Sequence, residues 1–411
     1  MNLAAKFLFA NAFLGIMASA SDDVKDRMGV GFSTSKMSTK PSSDTILNQV
    51  IPNLKRLSIT NFRMYNADED AEYVAALIKA NPDLKLVVDT GYLMYRESEG
   101  IQYWDLTSDD VARYLTDYIN EVGGKVKAVN GDDYEWLDNV ELLAYKNEPG
   151  IEYHHTPWFK VKFPDYNDFV DCVAHVNGFV QDFINSYKDG KYKTTITVLP
   201  LFSGAPYPRI QVPLMIKSLE LQRDAGAPLG VGWNLYNCNQ HPDSWPGSLP
   251  GETLSLCLGG SGLEDQVNWL KSVWIAPSAE HIDINPDDIK LTVTETGYAT
   301  GGLPYANEYL AGIFYNGLIS KMEDPSSSLH GVDIYFFEAL DEDLKPGIVE
   351  PYWGLMDAEG NLKQSIDQYW PSIDEDGNII TEDTEIEKEE TDAELYTTAP
   401  IVEGNLRATS A

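Results

Sequence analysis

Short apolar runs alternate along this chain with longer amphipathic segments, and this alternation predicts the fold. Each run is rich in β-branched or aromatic residues and ends in a polar or glycine-rich turn, as buried parallel strands do. Eight runs fit this description: 28–34, 61–70, 84–92, 140–150, 193–200, 230–239, 289–302 and 331–339. Since a helical pattern follows each of them, we expect an α/β fold, a (β/α)8 TIM barrel, rather than an open sheet.

The helical pattern is clearest between the fourth and fifth runs. Apolar residues recur there every three or four positions, which predicts a helix over 166–187 with one buried face. The loop before it, which holds His154, His155 and Trp158, is expected to lack regular structure. All eight units fit one domain over 21–370, because barrels of 200 to more than 400 residues are known.

Two of the predicted strands end in a glutamate. Glu148 follows the apolar run that starts at Val140. Glu295 ends the β-branched stretch IKLTVTE, which starts at Ile289. Barrel enzymes place their chemistry at the carboxyl ends of strands. A carboxylate pair of this kind suits glycoside hydrolysis, in which one carboxyl is kept protonated as the acid and the other is ionised.

The charge of the chain limits its partners. There are 64 acidic and 30 basic residues among 411, a formal charge of -34, so nucleic acid and anionic membrane surfaces are repelled. A neutral polymer such as a glucan is not repelled. With 43% hydrophobic residues the chain can form a large core.

The two ends of the chain differ from its middle. Residues 1–20 have the pattern of a secretory signal peptide: Lys6, an apolar stretch too short to span a bilayer, and a small-residue cleavage site at 18–20. We therefore expect a soluble protein that is secreted. Residues 371–411 are expected to form an acidic disordered tail, because 374–394 contain 11 acidic residues and one basic residue.

Three cysteines occur, and they permit three pairings. In an oxidising compartment Cys238 and Cys257 could close one loop and leave Cys172 free. The pair His154-His155 lacks further His or Cys residues at a recognisable spacing, so no metal site is predicted.

Five sequence pieces, in this order, resemble a known family. They are 28–32 at the first strand, 63–66 (RMYN) at the second, Asn147-Glu148 at the fourth, 294–298 (TETGY) at the seventh and 336–363 (FFEALDEDLKPG…VEPYWGLMDAEGNLK) at the last. Together they resemble glycoside hydrolase family seventeen, the endo-β-1,3-glucanases of plants and fungi. The resemblance covers roughly residues 28–363.

The resemblance implies a role for each matching position. Glu148 would be the acid/base and Glu295 the nucleophile of a retaining double displacement, with no cofactor. Asn147 would bind the sugar 2-hydroxyl, and Tyr65 and Tyr236 would line the cleft. The remaining implied substrate contacts are Glu342 and Lys345 near the site and Trp353 as a sugar-stacking platform. An equally good interpretation of Glu342 and Lys345 is a surface ion pair between positions i and i+3.

The implied function is hydrolysis of β-1,3-glucan by a monomer in the cell wall or the extracellular space. Tyr145-Lys146 replace the usual Val-Gly of the plant enzymes, and the loops after the third, fourth and sixth strands are longer. Two alternatives remain open: a glucan transglycosylase that uses the same site, and a catalytically inactive glucan-binding barrel.

Overall fold

The computed structural model describes residues 24–90, 103–204, 207–236, 256–303 and 306–373. The predicted signal peptide, the predicted tail beyond position 373 and Cys238 lie outside these ranges. Residues 371–373 continue from the last helix, and Ile373 packs against the core.

Eight parallel strands form a closed barrel in sequence order, and the first strand pairs with the last. The predicted TIM barrel is therefore confirmed. The strands are β1 Met28–Phe32, β2 Asn61–Met64, β3 Leu86–Asp89, β4 Val140–Asn147, β5 Thr197–Ser203, β6 Gly230–Asn234, β7 Lys290–Thr296 and β8 Asp333–Phe336. Most are shorter than the predicted runs because the run also contains the turn that leaves the barrel. The exception is β5, which begins later than its run and ends at Ser203, beyond position 200.

Helices surround the barrel. In chain order they are α1 Val24–Arg27, α2 Ser43–Thr45, α3 Ile51–Arg56, α4 Ala71–Ala80, α5 Ser108–Asn130, α6 Pro149–His155, α7 Pro157–Lys162, α8 Tyr166–Ser186, α9 Pro208–Ala225, α10 Ser261–Trp269, α11 Ala276–His281, α12 Glu308–Glu323 and α13 Gln364–Tyr369. Two π-helical segments, Ile46–Val50 and Leu270–Ile275, join α2 to α3 and α10 to α11. None of the helices in the described ranges is long and apolar enough to cross a membrane.

The expectation of an irregular loop after β4 is wrong. The segment folds into α6 and α7, each of which begins with a proline. Proline suits the first turn of a helix, where its missing N–H would have no intrahelical partner. The predicted helix over 166–187 is confirmed as α8, which buries Phe169, Val173 and Val176.

The core is continuous from the barrel interior to the inner faces of the helices. The aromatic residues divide between this core and the surface: Trp233 is fully buried, whereas 38% of Trp158 is exposed.

The segment after β8 closes over the mouth of the barrel. The backbone N–H of Glu338 donates to the carbonyl of Trp353, and that of Ala339 donates to the carbonyl of Gly31 on β1. The backbone N–H groups of Leu355 and Met356 donate to the carbonyls of Glu338 and Ala339, respectively. This segment thereby carries its polar residues to the edge where β8 meets β1.

Candidate active site

Glu148 is the first residue after β4. Its backbone is left-handed (φ 49°, ψ 53°), which is uncommon for a glutamate and turns the chain directly from the strand into α6. Its N–H donates to Leu201 on β5 at 2.8 Å, which ties the turn to the barrel. Burial, and next the negative charge of Glu295, raise the pKa of Glu148 to about 7.

Glu295 lies on β7 and is only 7% exposed. Its Oε1 accepts a hydrogen bond from Nη1 of Arg63 at 2.6 Å, and its Oε2 accepts one from the hydroxyl of Tyr236 at 2.9 Å. Burial and the adjacent Glu295 raise the pKa of Tyr236, so the phenol keeps its proton and donates. The two contacts hold both carboxylate oxygens of Glu295 in a fixed orientation.

Arg63, fully buried on β2, connects the strand ends. Besides Glu295, its guanidinium donates to the side-chain oxygens of Asn234 at 3.0 Å and Asn147 at 3.2 Å, and it lies 3.8 Å from Asp89. Burial alone would lower the pKa of Arg63. The electrostatic effects of Tyr65, Glu295 and Asp89 are larger, so the pKa is raised overall. The guanidinium is therefore a fixed positive charge beneath the site.

The two asparagines complete the network. The amide of Asn234 donates to Asn147 Oδ1 at 3.0 Å and also hydrogen-bonds Glu148. Thr294 in turn donates to Asn234 at 2.8 Å, which fixes the amide orientation. Because Asn147 accepts two hydrogen bonds through its oxygen, its NH2 group is the part that is left for a ligand.

The predicted aromatic residues surround this network. Tyr65 lies under Arg63, whose Cζ is 4.4 Å from the ring centroid. Tyr236 makes an edge contact with Trp353 at 5.4 Å, and Phe337 contacts Tyr65, Tyr236 and Trp353 at 5.9, 6.3 and 5.8 Å. Trp353 is only 7% exposed, so most of its surface is covered by these neighbours.

Glu342 and Lys345 do not form a surface ion pair. Glu342 is 2% exposed, and its Oε2 lies 2.8 Å from the Lys345 ammonium. The same ammonium lies 2.6 Å from Glu338, which is also buried. Burial acts to raise the pKa of Glu342, but Lys345 holds it below its ordinary value, whereas burial raises the pKa of Glu338. Glu338, Glu342 and Lys345 are buried because the segment after β8 folds inward over the barrel.

The structure therefore brings most of the predicted site residues to one end of the barrel. It also adds Arg63, Asn234 and Glu338, to which the sequence interpretation gave no role. A signal existed for each: Arg63 and Asn234 are polar residues at the ends of apolar strands, and Glu338 lies inside the segment used for the resemblance.

Neither of the described cysteines is among the residues of this site. Cys172 is a free, partly buried thiol, and Cys257 is disulfide-bonded. Its predicted pairing with Cys238 stays a prediction. Within the described ranges, no group of three or more His, Cys, Asp or Glu side chains is arranged to hold a metal ion.

The described chain is a (β/α)8 barrel with one glutamate directly after β4 and another near the end of β7. Residues 269–368 match the model of Glycosyl hydrolases family 17. Over 333 residues the chain is 36% identical to glucan endo-1,3-beta-glucosidase 8 of Arabidopsis thaliana, a match that covers 77% of this chain and 63% of that protein. These matches confirm the resemblance to family 17.

Two further comparisons give a second relative and a protein of similar fold. Over 89 residues the chain is 36% identical to glucan 1,3-beta-glucosidase of Saccharomyces cerevisiae, covering 20% of this chain and 27% of that protein. The chain thus spans less than two thirds of either curated relative. Its fold is similar to that of CJP38, a beta-1,3-glucanase and allergen of Cryptomeria japonica pollen, with a TM-score of 0.56, 16% identity, and coverage of 82% of this chain and 97% of that one.

Proposed function

We propose that this protein is a secreted retaining β-glucanase that hydrolyses β-1,3-glucan with two glutamates. The proposal rests on the different surroundings of Glu148 and Glu295. Glu148 has a pKa of about 7 and can hold a proton near neutral pH. Glu295 is paired with Arg63 and accepts a hydrogen bond from Tyr236, as a carboxylate nucleophile requires.

The reaction follows from these environments. Glu148 donates its proton to the glycosidic oxygen while a carboxylate oxygen of Glu295 attacks the anomeric carbon and expels the leaving sugar. The product is a glycosyl-enzyme ester, and Glu148 is now ionised. Glu148 then takes a proton from water, whose oxygen attacks the anomeric carbon and releases Glu295.

The neighbours of the two glutamates assist this sequence. Arg63 and Tyr236 hold Glu295 in a fixed position for attack. The NH2 group of Asn147 is available to the sugar 2-hydroxyl, a contact that strengthens in the transition states of such reactions. Tyr65, Trp353, Glu342 and Lys345 are proposed to shape the wall next to the bound sugar.

The proposed substrate rests on the family resemblance and on charge. Both curated relatives carry names of 1,3-β-glucosidases, and a neutral glucan is compatible with a chain of charge -34. Secretion is supported by the pattern of residues 1–20 and by the disulfide at Cys257, since disulfides persist in oxidising compartments.

A turnover assay on laminarin, a β-1,3-glucan, tests the proposal. The wild type should release oligosaccharides, and Glu148→Gln and Glu295→Gln should each lose at least about 100-fold in rate. With an activated aryl glucoside, whose leaving group needs no proton, only Glu148→Gln should keep its first step.

Glu141→Gln is the matched control, because Glu141 begins the strand that leads to Glu148 and lies at the opposite end of the barrel. Near-native turnover of laminarin by both site variants would refute the assignment. Product analysis at high laminarin concentration separates hydrolysis from transfer, since longer oligomers form only by transfer. A wild type that binds laminarin without cleaving it would instead be a glucan-binding barrel.

A further inference from the structure

The fourth strand contains a β-bulge just before Glu148. Ala144 pairs with Leu199 of β5, and Asn147 pairs with Leu201. Three steps along β4 therefore lie opposite two steps along β5. A bulge of this kind adds one residue to a strand and changes the direction in which the following side chains point.

Two successive side chains of the bulge face the helices outside the barrel. The hydroxyl of Tyr145 donates to the carbonyl of Val173 on α8 at 3.0 Å. Lys146 Nζ lies 5.3 Å from the ring centroid of Phe159 on α7. Successive side chains of a regular strand point to opposite faces, so Asn147 would then face the helices together with Tyr145. The bulge instead turns Asn147 inward, where its oxygen accepts hydrogen bonds in the network of the candidate site.

Lys146 forms a buried ion pair across the turn that carries Glu148. Its side chain is 5% exposed, and its ammonium pairs with the carboxylate of Glu152 on α6, whose side chain is 21% exposed. Glu152 lies one helical turn beyond Glu148, since its backbone N–H donates to the carbonyl of Glu148 at 3.1 Å. The ion pair therefore joins the residue two positions before Glu148 to the residue four positions after it.

We propose that Lys146 and Glu152 are positioning residues for Glu148. The backbone of Glu148 is left-handed, and a non-glycine residue keeps such a conformation only where the surrounding contacts hold it. The ion pair fixes the bulge on one side of this turn and the first turn of α6 on the other. This inference rests on the proposed function, because it concerns the residue that is proposed to donate the proton.

Two substrates that differ in their need for an acid test the pair. A laminari-oligosaccharide needs a proton on its leaving oxygen, whereas an activated aryl laminaribioside does not. Lys146→Met removes the charge, retains an unbranched side chain of similar length and leaves the partly exposed Glu152 accessible to solvent. It should lower kcat/KM on the oligosaccharide by on the order of tenfold or more, because a small misplacement of a reacting group has this effect. Its kcat/KM on the aryl substrate, which reports the first step, should stay within about twofold of the wild type.

The aryl substrate also reports on folding, since a misfolded variant would lose it. Lys321→Met is the matched control, because Lys321 pairs with Glu264 at 2.9 Å between α12 and α10, and both activities should stay within about twofold. Lys146→Met combined with Glu152→Ala should lose no more oligosaccharide activity than Lys146→Met alone, because both changes break the same contact. Equal losses on both substrates, no loss on either, or additive losses in the double variant would overturn the positioning role. A wild type that cleaves neither substrate would overturn the proposed function itself.

Discussion

Arg63 holds two strand ends together through a single side chain. It contacts Glu295 through Nη1 and Asn147 through Nη2, so the two N–H groups point to β7 and β4. A lysine has one ammonium and cannot reproduce this planar fork. The orientation of Glu295, the proposed nucleophile, therefore depends on guanidinium geometry as well as on charge.

We expect Arg63→Lys to lower kcat on laminarin by on the order of 100-fold, comparable to the loss of one fixed donor in an active site. KM should change much less, because Arg63 is fully buried beneath the site and is not exposed to the substrate. Steady-state kinetics check this, with Arg56→Lys as the control, since Arg56 forms an exposed ion pair with Asp367. A loss confined to KM would contradict the role given to Arg63.

The pKa of Glu148 predicts the pH dependence. Glu148 must be protonated to donate, and it loses its proton as pH rises through about 7. The kcat/KM on laminarin should therefore fall above pH 7, whereas an activated aryl glucoside should show little of this alkaline decline. Rates measured from pH 4 to 10 check this, and a laminarin rate that stays constant to pH 9 would contradict the assignment.

At the residue scale the sequence predicts which carboxylates matter but not what surrounds them. Glu148 and Glu295 are recognisable because each ends an apolar run. The contacts of Arg63 and Asn234 join β2, β4, β6 and β7, and no local pattern shows which strand ends face each other at that distance. Glu342 and Lys345 form a buried ion pair, and their i, i+3 spacing in the sequence alone cannot distinguish a buried from an exposed pair.

Among the elements, the strands are predictable and the connections are not. Each strand is a run of apolar residues, and the barrel buries it on both faces, so the pattern is strong. The helices α6 and α7 have mixed composition and are only seven and six residues long, too short for a periodic apolar face to show. The segment between β4 and α8, which was expected to be an irregular loop, therefore consists largely of two short helices.

The buried carboxyl of Asp70 joins α4 to the loop that follows β1. Asp70, at the N-terminal end of α4, is 1% exposed and accepts hydrogen bonds from the backbone N–H and the hydroxyl of Thr34. Burial raises the pKa of Asp70 from 3.8 to about 6, against the opposing effects of Thr34 and Lys40. The folded chain thus keeps a proton that the unfolded chain loses, so this contribution to stability is present below about 3.8 and is lost as pH rises through about 6.

We therefore expect the unfolding free energy of the wild type, relative to Asp70→Asn, to fall by on the order of 2 kcal/mol between pH 4 and 7. Denaturant unfolding of both proteins at each pH checks this, because other titrating groups cancel in the difference. The exposed Asp132→Asn should show no such trend. A difference that stays constant with pH, or grows, would contradict the account of Asp70.

For the whole molecule, the barrel and the acidic C-terminal segment are expected to be independent. The described chain ends with α13 and the partly buried Ile373, which pack on the core. Residues 374–411 carry 12 of the 64 acidic residues and a smaller share of apolar residues than the chain as a whole, so they offer little surface to offset the entropy of ordering.

A chain that ends after Ile373 should keep its activity on laminarin and its melting temperature. Differential scanning calorimetry and the laminarin assay check this on the full and the shortened protein. A melting temperature lowered by many degrees would show that the acidic segment docks on the barrel.

The stereochemistry of cleavage tests the central claim, that Glu295 forms a covalent intermediate while Glu148 serves as acid and base. Proton NMR of the first product, recorded on laminari-oligosaccharide before mutarotation, distinguishes the two possible mechanisms. A β-anomer that appears first means two displacements and retention, as predicted for attack by Glu295. An α-anomer that appears first would mean direct attack by water and would contradict the roles assigned to both glutamates.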